Sequence, residues 1–306
     1  MMSKRYPITM LCAACIPWTD DFQFDEAKFR VHVADLVDGG AKSLYIMGTA
    51  GEGYTLDTKT FTDVVTAFLD ECSKGKDMLP MIGIISTSMM EMMERIEIAK
   101  NLGAHDFQIA LPCWGALTDG EVIDYFKMVC GSFTDCRFIH YNNGPRSKKL
   151  VTIDLYIKLA KLVPNLVAAK YSTHNMAEIY GIVTADCPIA FYLVDGGYTY
   201  GAMVGECGFL NSFYSIYPEF AWEYFEAGQT GDYATLIKGD RFYKEASGCF
   251  SFISRPMIDS AYDKSIERVT DNNFDNKLYP PYKGLTEDEF AKVNTDMKAV
   301  IAKYKK

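Results

Sequence analysis

One lysine stands at the end of an apolar segment, where its amine could carry out chemistry. Lys170 closes the run Leu166-Val-Ala-Ala169, which is typical of a buried strand. Burial disfavours the charged form of an amine, so we expect the pKa of Lys170 to be lowered. A neutral lysine amine attacks a ketone and forms a Schiff base, and the protonated imine then acts as an electron sink. The alternative is a lysine that only extends from a strand end into water.

Two hydroxyl groups could assist this lysine. Tyr141 ends the segment Arg137–Tyr141, one strand earlier, and neighbouring strands lie only ~4.8 Å apart. If both side chains point inward, the phenol can move protons at the imine. Thr49 lies in the loop Gly48-Thr-Ala-Gly-Glu52, where backbone N–H groups can converge on an anion such as a substrate carboxylate. Packing and an ordinary tight turn are the structural alternatives. Ser-His-Asp catalysis has no signature, because Gly-x-Ser-x-Gly is absent.

The elements that must position these residues alternate between short apolar segments and longer amphipathic ones. From Ile8 to Ala227 the pattern predicts eight strands, each followed by a helix. Such strands require a parallel sheet, and eight units predict a (β/α)8 TIM barrel with its site at the C-terminal ends of the strands. An open doubly wound sheet is the alternative, which the absence of Gly-x-Gly-x-x-Gly after the first strand disfavours. We predict a barrel domain over 1–228 and a C-terminal helical extension over 229–306.

Composition excludes several classes of function. The chain has 306 residues and a formal net charge of −9, with its lysines and arginines dispersed, so we expect no nucleic-acid partner. No apolar stretch approaches the ~18 residues that span a bilayer, so we expect no membrane partner. Nine cysteines at irregular spacing indicate reduced thiols in a cytoplasmic protein. Cys12-x-x-Cys15 could be half of a metal or redox site, but burial in the first strand is the simpler interpretation.

Taken together, the strand ends resemble the family of dihydrodipicolinate synthase and N-acetylneuraminate lyase. The motifs that carry the resemblance are Gly48-Thr-Ala-Gly-Glu52, Tyr141-Asn142 followed by Arg146, Ala168-Ala-Lys-Tyr171 and Asp195-Gly-Gly197. The resemblance implies a class I aldolase in which Lys170 forms the imine with a 2-oxo acid such as pyruvate and Tyr141 is the general acid and base. It also implies that Thr49 and the N–H of Ala50 hold the substrate carboxylate, that Arg146 and Gly196 lie at the site, and that the chain forms a homo-oligomer, usually a tetramer. No cofactor and no metal are implied.

Departures from the family pattern bear on the substrate. Ala50 stands where dihydrodipicolinate synthases and N-acetylneuraminate lyases have a hydroxyl. Trp114, or less well Cys113, stands where the former place a tyrosine from a neighbouring subunit. These features, with Asn143 close to Pro145, are similar to hydratase-aldolases that cleave aromatic benzylidenepyruvates. The indole of Trp114 offers an apolar wall for an aromatic aldehyde partner. The alternatives are another activity of the family, including a sugar-acid aldolase or dehydratase, and a non-catalytic barrel that binds a 2-oxo acid.

Overall fold

The computed structural model describes residues 5–271 and 273–305, so the ends of the two predicted ranges, residues 1–4 and Lys306, lie outside the described part. Eight parallel strands pair in sequence order, and β1 pairs with β8 to close the barrel. The strands are β1 Met10–Ala13, β2 Ser43–Ile46, β3 Leu79–Ile84, β4 Asp106–Ile109, β5 Arg137–Asn142, β6 Leu166–Tyr171, β7 Ala190–Val194 and β8 Gly208–Asn211. The predicted closed barrel is confirmed, and the open doubly wound alternative is wrong.

Helices connect the strands and continue beyond them. The first nine are α1 Glu26–Asp38, α2 Thr58–Cys72, α3 Met89–Asn101, α4 Asp119–Ser132, α5 Gly144–Ser147, α6 Ile153–Leu162, α7 Met176–Thr184, α8 Asp195–Val204 and α9 Pro218–Thr230. The last three are α10 Tyr233–Gly248, α11 Asp259–Thr270 and α12 Glu287–Tyr304. None of the helices described is both long and apolar enough to cross a membrane.

Side chains alternate between the two faces of each strand and so build two separate cores. One core fills the barrel interior and includes Leu11, Met81, Ile139 and Ala168. The other lies between the strands and the surrounding helices and is much larger. Lys170 and Tyr141 each lie two residues beyond an interior side chain, at Ala168 and Ile139, so the strand period directs both toward the mouth of the barrel.

The C-terminal extension is more involved in the barrel than the sequence indicates. The helix α9 continues two residues past the predicted boundary at 228, and α10 packs against both α8 and α9. The sequence pattern predicts α10 and α12, but it misses α11, whose residues are mostly polar. This helix packs on the turn Tyr214–Ile216 after β8, and this position brings it to the C-terminal end of the barrel strands.

Candidate active site

The structure brings Lys170 and Tyr141 together, as the spacing predicts. The two residues are register partners in the adjacent strands β5 and β6. The Nζ atom of Lys170 lies 4.2 Å from the centre of the Tyr141 ring, and the side chain is only 5% exposed. A second tyrosine joins them, because Nζ donates a hydrogen bond of 3.0 Å to the hydroxyl of Tyr45 on β2. Two phenols therefore surround the amine.

The electrostatic surroundings of Lys170 differ from the expectation. Burial by itself lowers its pKa, as predicted. Interaction with Tyr45 and Tyr141, the hydrogen bond to Tyr45 and the charge of Asp263 outweigh burial, so the net direction is upward. The prediction of a lowered pKa is therefore wrong, because it considered desolvation without the partners that the fold supplies. In the resting site the lysine is an ammonium group that must lose a proton before it attacks a ketone.

The loop after β2 places Thr49 and Ala50 at the mouth of the barrel, where both are buried. The loop turns back on the end of β2 so tightly that a Cβ atom at Gly51 would lie 2.6 Å from the backbone nitrogen of Met47. Only glycine fits at such a close approach of two backbone segments. The glycine-flanked sequence is thus the structural requirement for a loop that presents Thr49 and Ala50 beside Lys170.

A buried glutamate fixes the same loop to the rest of the molecule. Glu52 accepts hydrogen bonds from the indole of Trp18 at 2.9 Å and from the backbone N–H of Tyr279 at 2.8 Å. It also forms an ion pair with Lys264 of α11, and both side chains of the pair are fully buried. Because a buried charge is stable only when it is paired, this pair ties α11 to the loop that carries Thr49.

The cavity that contains Lys170, which we call the lysine cavity, has a volume of about 300 Å³. Its barrel side includes Tyr45, Thr49, Ala50, Tyr141, Lys170 and Asp195. Its other side comes from α10, α11 and the segment between them, through Ser247, Phe250, Asp259, Tyr262, Asp263 and Ile266. The site is therefore completed by the C-terminal extension, which contributes two carboxyl groups.

Two carboxyl groups of the lysine cavity have unusual acidities. Burial raises the pKa of Asp263 to about 7, and the charge of Asp259 adds to the rise, whereas a hydrogen bond from Ser212 and the charge of Lys170 oppose it. Burial likewise raises the pKa of Asp195 to about 7, with Asp240 adding to the rise. Both groups can therefore exist in either protonation state near neutral pH.

A second cavity of about 390 Å³ adjoins the first, and we call it the apolar cavity. Thr49 and Tyr141 line both cavities, so they form the wall between them. The remaining lining is largely aliphatic and aromatic, and it includes Tyr54, Ile84, Ile85, Leu111, Ile258 and Tyr282. A ligand part bound there would contact the hydroxyl groups of the shared wall at one end and apolar side chains elsewhere.

Asn143 and Arg146, which the sequence places at the site, both line the apolar cavity. The amide of Asn143 donates a hydrogen bond of 2.9 Å to the hydroxyl oxygen of Tyr141. Since that oxygen already accepts a hydrogen bond, the phenol proton is directed elsewhere and can be donated. Arg146 forms an ion pair of 2.9 Å with Asp259 of α11. Its guanidinium group is therefore partly neutralised beside the cavity.

The other two candidates do not line either cavity in this chain. The side chain of Trp114 is 88% exposed, and its backbone carbonyl accepts a hydrogen bond from Lys148. Gly196 is exposed, and a Cβ atom there would face the carboxylate of Asp240 on α10 at 3.6 Å. Its neighbour Asp195 lines the lysine cavity in its place. Of the motif Asp195-Gly-Gly197, it is therefore the acidic residue and not Gly196 that reaches the cavity.

Sequence reasoning missed Tyr45, Asp259 and Asp263. Tyr45 reads as one more apolar residue of a buried strand, although its position four residues before Thr49 on an inward-facing site is a usable signal. The two aspartates lie on a helix that is polar on average, although its apolar residues Ala261, Ile266 and Val269 recur at helical spacing and are buried. The cysteine interpretation is in keeping with the structure, since Cys12 and Cys15 are buried and burial raises the pKa of both thiols. Cys113 lines the apolar cavity.

Comparison with known proteins identifies the family. The model of the dihydrodipicolinate synthetase family matches residues 7–240. The chain belongs to this family. The family consists of lyases, and the chain is accordingly a Schiff-base lyase rather than a non-catalytic barrel.

The dihydrodipicolinate synthetase relatives have different named activities. A Rhodococcus opacus protein, "Probable 5-dehydro-4-deoxyglucarate dehydratase", is 26% identical over 234 residues, which are 72% of either chain. The 4-hydroxy-tetrahydrodipicolinate synthase of Methanospirillum hungatei is 28% identical over 209 residues, 67% of this chain and 70% of that one. Because the chain is about equally similar to relatives with two different named activities, sequence identity does not indicate which activity it has.

Solved structures share the fold. YagE from E. coli K12, a prophage protein of the dihydrodipicolinic acid synthase family solved with pyruvate, matches with a TM-score of 0.86 and 17% identity over 96% of this chain and 98% of that chain. The wild-type sialic acid aldolase of Ruminococcus gnavus matches with a TM-score of 0.86 and 16% identity over 97% of this chain and 98% of that chain. At these identities the likeness concerns the fold alone.

Proposed function

We propose that this chain is a class I pyruvate aldolase in which Lys170 forms the Schiff base. The observation that carries the proposal is the placement of the buried Lys170 amine against Tyr141 and beside Thr49 in one cavity. The amine adds to the carbonyl carbon of a 2-oxo acid, and loss of water leaves the protonated imine. Thr49 and the backbone N–H of Ala50 hold the carboxylate of that acid.

Tyr141 carries out the proton transfers at the bond that breaks. Its phenolate oxygen takes the proton of the 4-hydroxyl group, the carbon–carbon bond electrons move into the imine, and an aldehyde leaves. The phenol formed in this step then gives that proton to the terminal carbon of the enamine, which regenerates the phenolate. Water hydrolyses the resulting imine to release pyruvate. The hydrogen bond from Asn143 to the Tyr141 oxygen supports this role, because it stabilises the phenolate that forms when Tyr141 gives up its proton.

The apolar cavity supports an aromatic or apolar aldehyde as the partner, as in a hydratase-aldolase. It adjoins Tyr141 and Thr49, which is where the departing half of the substrate must lie, and its lining is mainly aliphatic and aromatic. This support comes from residues other than Trp114, which lies in solvent in the single chain. In a homo-oligomer, such as the tetramer that we propose with this function, the exposed indole could be covered by a second copy of the chain.

A sugar-acid dehydratase is the second candidate, and one observation favours it. Asp195, Asp259 and Asp263 line the lysine cavity, and carboxylates are suitable acceptors for the hydroxyl groups of a sugar acid. Four relatives at 25% to 27% identity have the name "Probable 5-dehydro-4-deoxyglucarate dehydratase". The two candidates differ in which cavity holds the part of the substrate beyond the 2-oxo acid.

Substrate assays distinguish the candidates. Pyruvate would be incubated with benzaldehyde, aspartate semialdehyde or N-acetylmannosamine, and 5-dehydro-4-deoxyglucarate would be tested alone, with consumption followed by chromatography. We expect pyruvate to be consumed only with the aromatic aldehyde, and Lys170→Ala to be inactive. Turnover of one of the other substrates with benzaldehyde inert would contradict the aromatic assignment.

A further inference from the structure

Helix α11 is polar in sequence and nevertheless buried. Its buried residues include Ser260, Asp263, Lys264, Ser265 and Glu267. Burial of polar groups is costly unless each one has a partner, and some of the partners are evident. Lys264 pairs with Glu52, and Asp263 accepts a hydrogen bond from Ser212, which follows β8. The helix therefore holds defined polar groups at the mouth of the barrel rather than merely covering it.

Asp263 is the carboxyl group of α11 that acts on Lys170. It is 6% exposed, it lines the lysine cavity, and its charge interacts with both Lys170 and Tyr45. Asp259 also lines the cavity, but Arg146 binds it at 2.9 Å. Asp195 interacts mainly with Asp240 on α10. Of the three carboxyl groups in the cavity, Asp263 is thus the one available to exchange protons with the amine.

We propose that Asp263 is the acid–base residue that forms and hydrolyses the Schiff base at Lys170, an inference that rests on the proposed function above. In the described structure Lys170 Nζ is hydrogen-bonded to Tyr45 rather than to Asp263, so the Asp263 carboxylate takes the proton from the Lys170 ammonium group through a bridging water. The neutral amine then adds to the carbonyl carbon to give a carbinolamine. The carboxylic acid returns the proton to the carbinolamine hydroxyl, which leaves as water. The products are the protonated imine and the carboxylate, so atoms and charges balance. Hydrolysis follows the same steps in reverse.

Other groups in the cavity are less suited to this role. The ring face of Tyr141, rather than its hydroxyl, lies against Nζ, and its oxygen accepts a hydrogen bond from Asn143. Ala50 has no hydroxyl. Burial raises the pKa of Tyr45 to about 12, so its hydroxyl is a poor base at neutral pH. Asp263 has a pKa of about 7 and can both accept and donate a proton there.

The titration of Asp263 depends on groups from several elements. Those that face it are Lys170 on β6, Asp195 at the start of α8, Tyr45 on β2, Cys15 after β1, and Asp259 and Glu267 on its own helix. Lys170 lowers its pKa, whereas the acidic neighbours raise it. A variant that changes only the hydrogen bond from Ser212 should therefore move the pKa of Asp263 while leaving these charges in place.

The test measures how fast the imine forms. The full-length protein would be mixed with pyruvate and quenched with borohydride at successive times, and the reduced adduct on Lys170 quantified by intact mass and peptide mapping across about pH 5 to about pH 9. We expect Asp263→Asn to form the adduct about 10²-fold more slowly than the wild type near neutral pH. Glu267→Gln is the matched control, because it removes a buried carboxyl group one turn further along α11, outside the lysine cavity. It should leave the maximal rate within about twofold, while the pH limb of Asp263 moves to lower pH because one acidic neighbour is lost.

A second variant covers the case in which Asp263→Asn does not fold. Ser212→Ala removes a hydrogen bond that lowers the pKa of Asp263, so the pH limb that Asp263 contributes to the rate should move to higher pH. Equal rates for Asp263→Asn and wild type, or an unmoved limb in Ser212→Ala, would overturn the role of Asp263 while leaving the aldolase proposal intact. Absence of any adduct in the wild type would instead overturn the proposed function and this inference together.

Discussion

The two cavities that meet at Tyr141 and Thr49 differ in what surrounds them. The lysine cavity holds an amine and three carboxyl groups, two of them from the C-terminal extension. The apolar cavity is lined mostly by aliphatic and aromatic side chains, and its one arginine is paired with Asp259. We infer that proton transfer and imine formation take place in the lysine cavity, whereas the apolar cavity binds the aldehyde part of the substrate and selects among aldehydes. A change in one cavity should then leave the function of the other measurable.

Apart from the loss of Lys170, we expect the largest fall in activity from a substitution of Tyr141, which lies in the wall between the two cavities. Tyr141→Phe removes the hydroxyl that moves the proton of the carbon–carbon step, so we expect kcat to fall about 10²- to 10³-fold. The pyruvate adduct on Lys170 should still form, because the ring that contacts Nζ remains. Steady-state kinetics and borohydride trapping measure the two quantities.

Tyr45→Phe is the matched control for that variant. It removes the hydrogen bond that Nζ donates to the Tyr45 hydroxyl, which raises the pKa of Lys170, so the pKa of the lysine should fall. We expect a shifted pH profile for adduct formation with cleavage retained. If Tyr141→Phe cleaves the substrate as fast as the wild type, the Tyr141 hydroxyl does not move the proton of the carbon–carbon step.

A charge placed in the apolar cavity should affect partner selection alone. Ile85 is only partly buried, so Ile85→Glu can be accommodated, but it introduces a carboxylate beside the proposed aldehyde position. We expect kcat/KM for an aromatic aldehyde to fall roughly tenfold or more, with trapping of pyruvate unchanged. Ile85→Leu keeps the volume and should behave as the wild type. Equal loss of trapping and turnover would mean that the two cavities do not act separately.

The acids of α11 also predict a stability effect that is distinct from catalysis. Burial raises the pKa of Glu267 to about 8. A carboxyl group whose folded pKa lies above its unfolded value stabilises the fold below the unfolded pKa, and this contribution is lost as pH rises through the folded value. From about pH 4.5 to about pH 8 the wild type should therefore lose stability that Glu267→Gln retains, on the order of 5 kcal/mol.

Thermal or urea unfolding at several pH values measures this difference. Asp35→Asn is a suitable control, because Asp35 lines the same small cavity as Glu267 but is far less buried. The expected difference between Glu267→Gln and wild type widens with pH. A constant difference at all pH values would show that Glu267 does not titrate in this range.

The sequence was sufficient for the architecture and for part of the site. Each barrel strand is a short apolar segment with a helix after it, and this local pattern makes the closed barrel predictable. Lys170, Tyr141 and Thr49 could be found because strand ends in such a barrel meet at one mouth. What the sequence did not give is the contribution of α11, since its polar residues are buried only through distant partners such as Glu52 and Ser212. The prediction that the pKa of Lys170 is lowered was wrong for the same reason, because its phenol and carboxylate partners come from other elements.

The central claim is that Lys170 forms a Schiff base with a 2-oxo acid. Reduction with borohydride in the presence of pyruvate, followed by intact mass and peptide mapping, tests it most directly. We predict a single adduct on the peptide that contains Lys170, and no adduct in a folded Lys170→Ala variant. An adduct on a different lysine, or none with pyruvate and several other 2-oxo acids, would contradict the account.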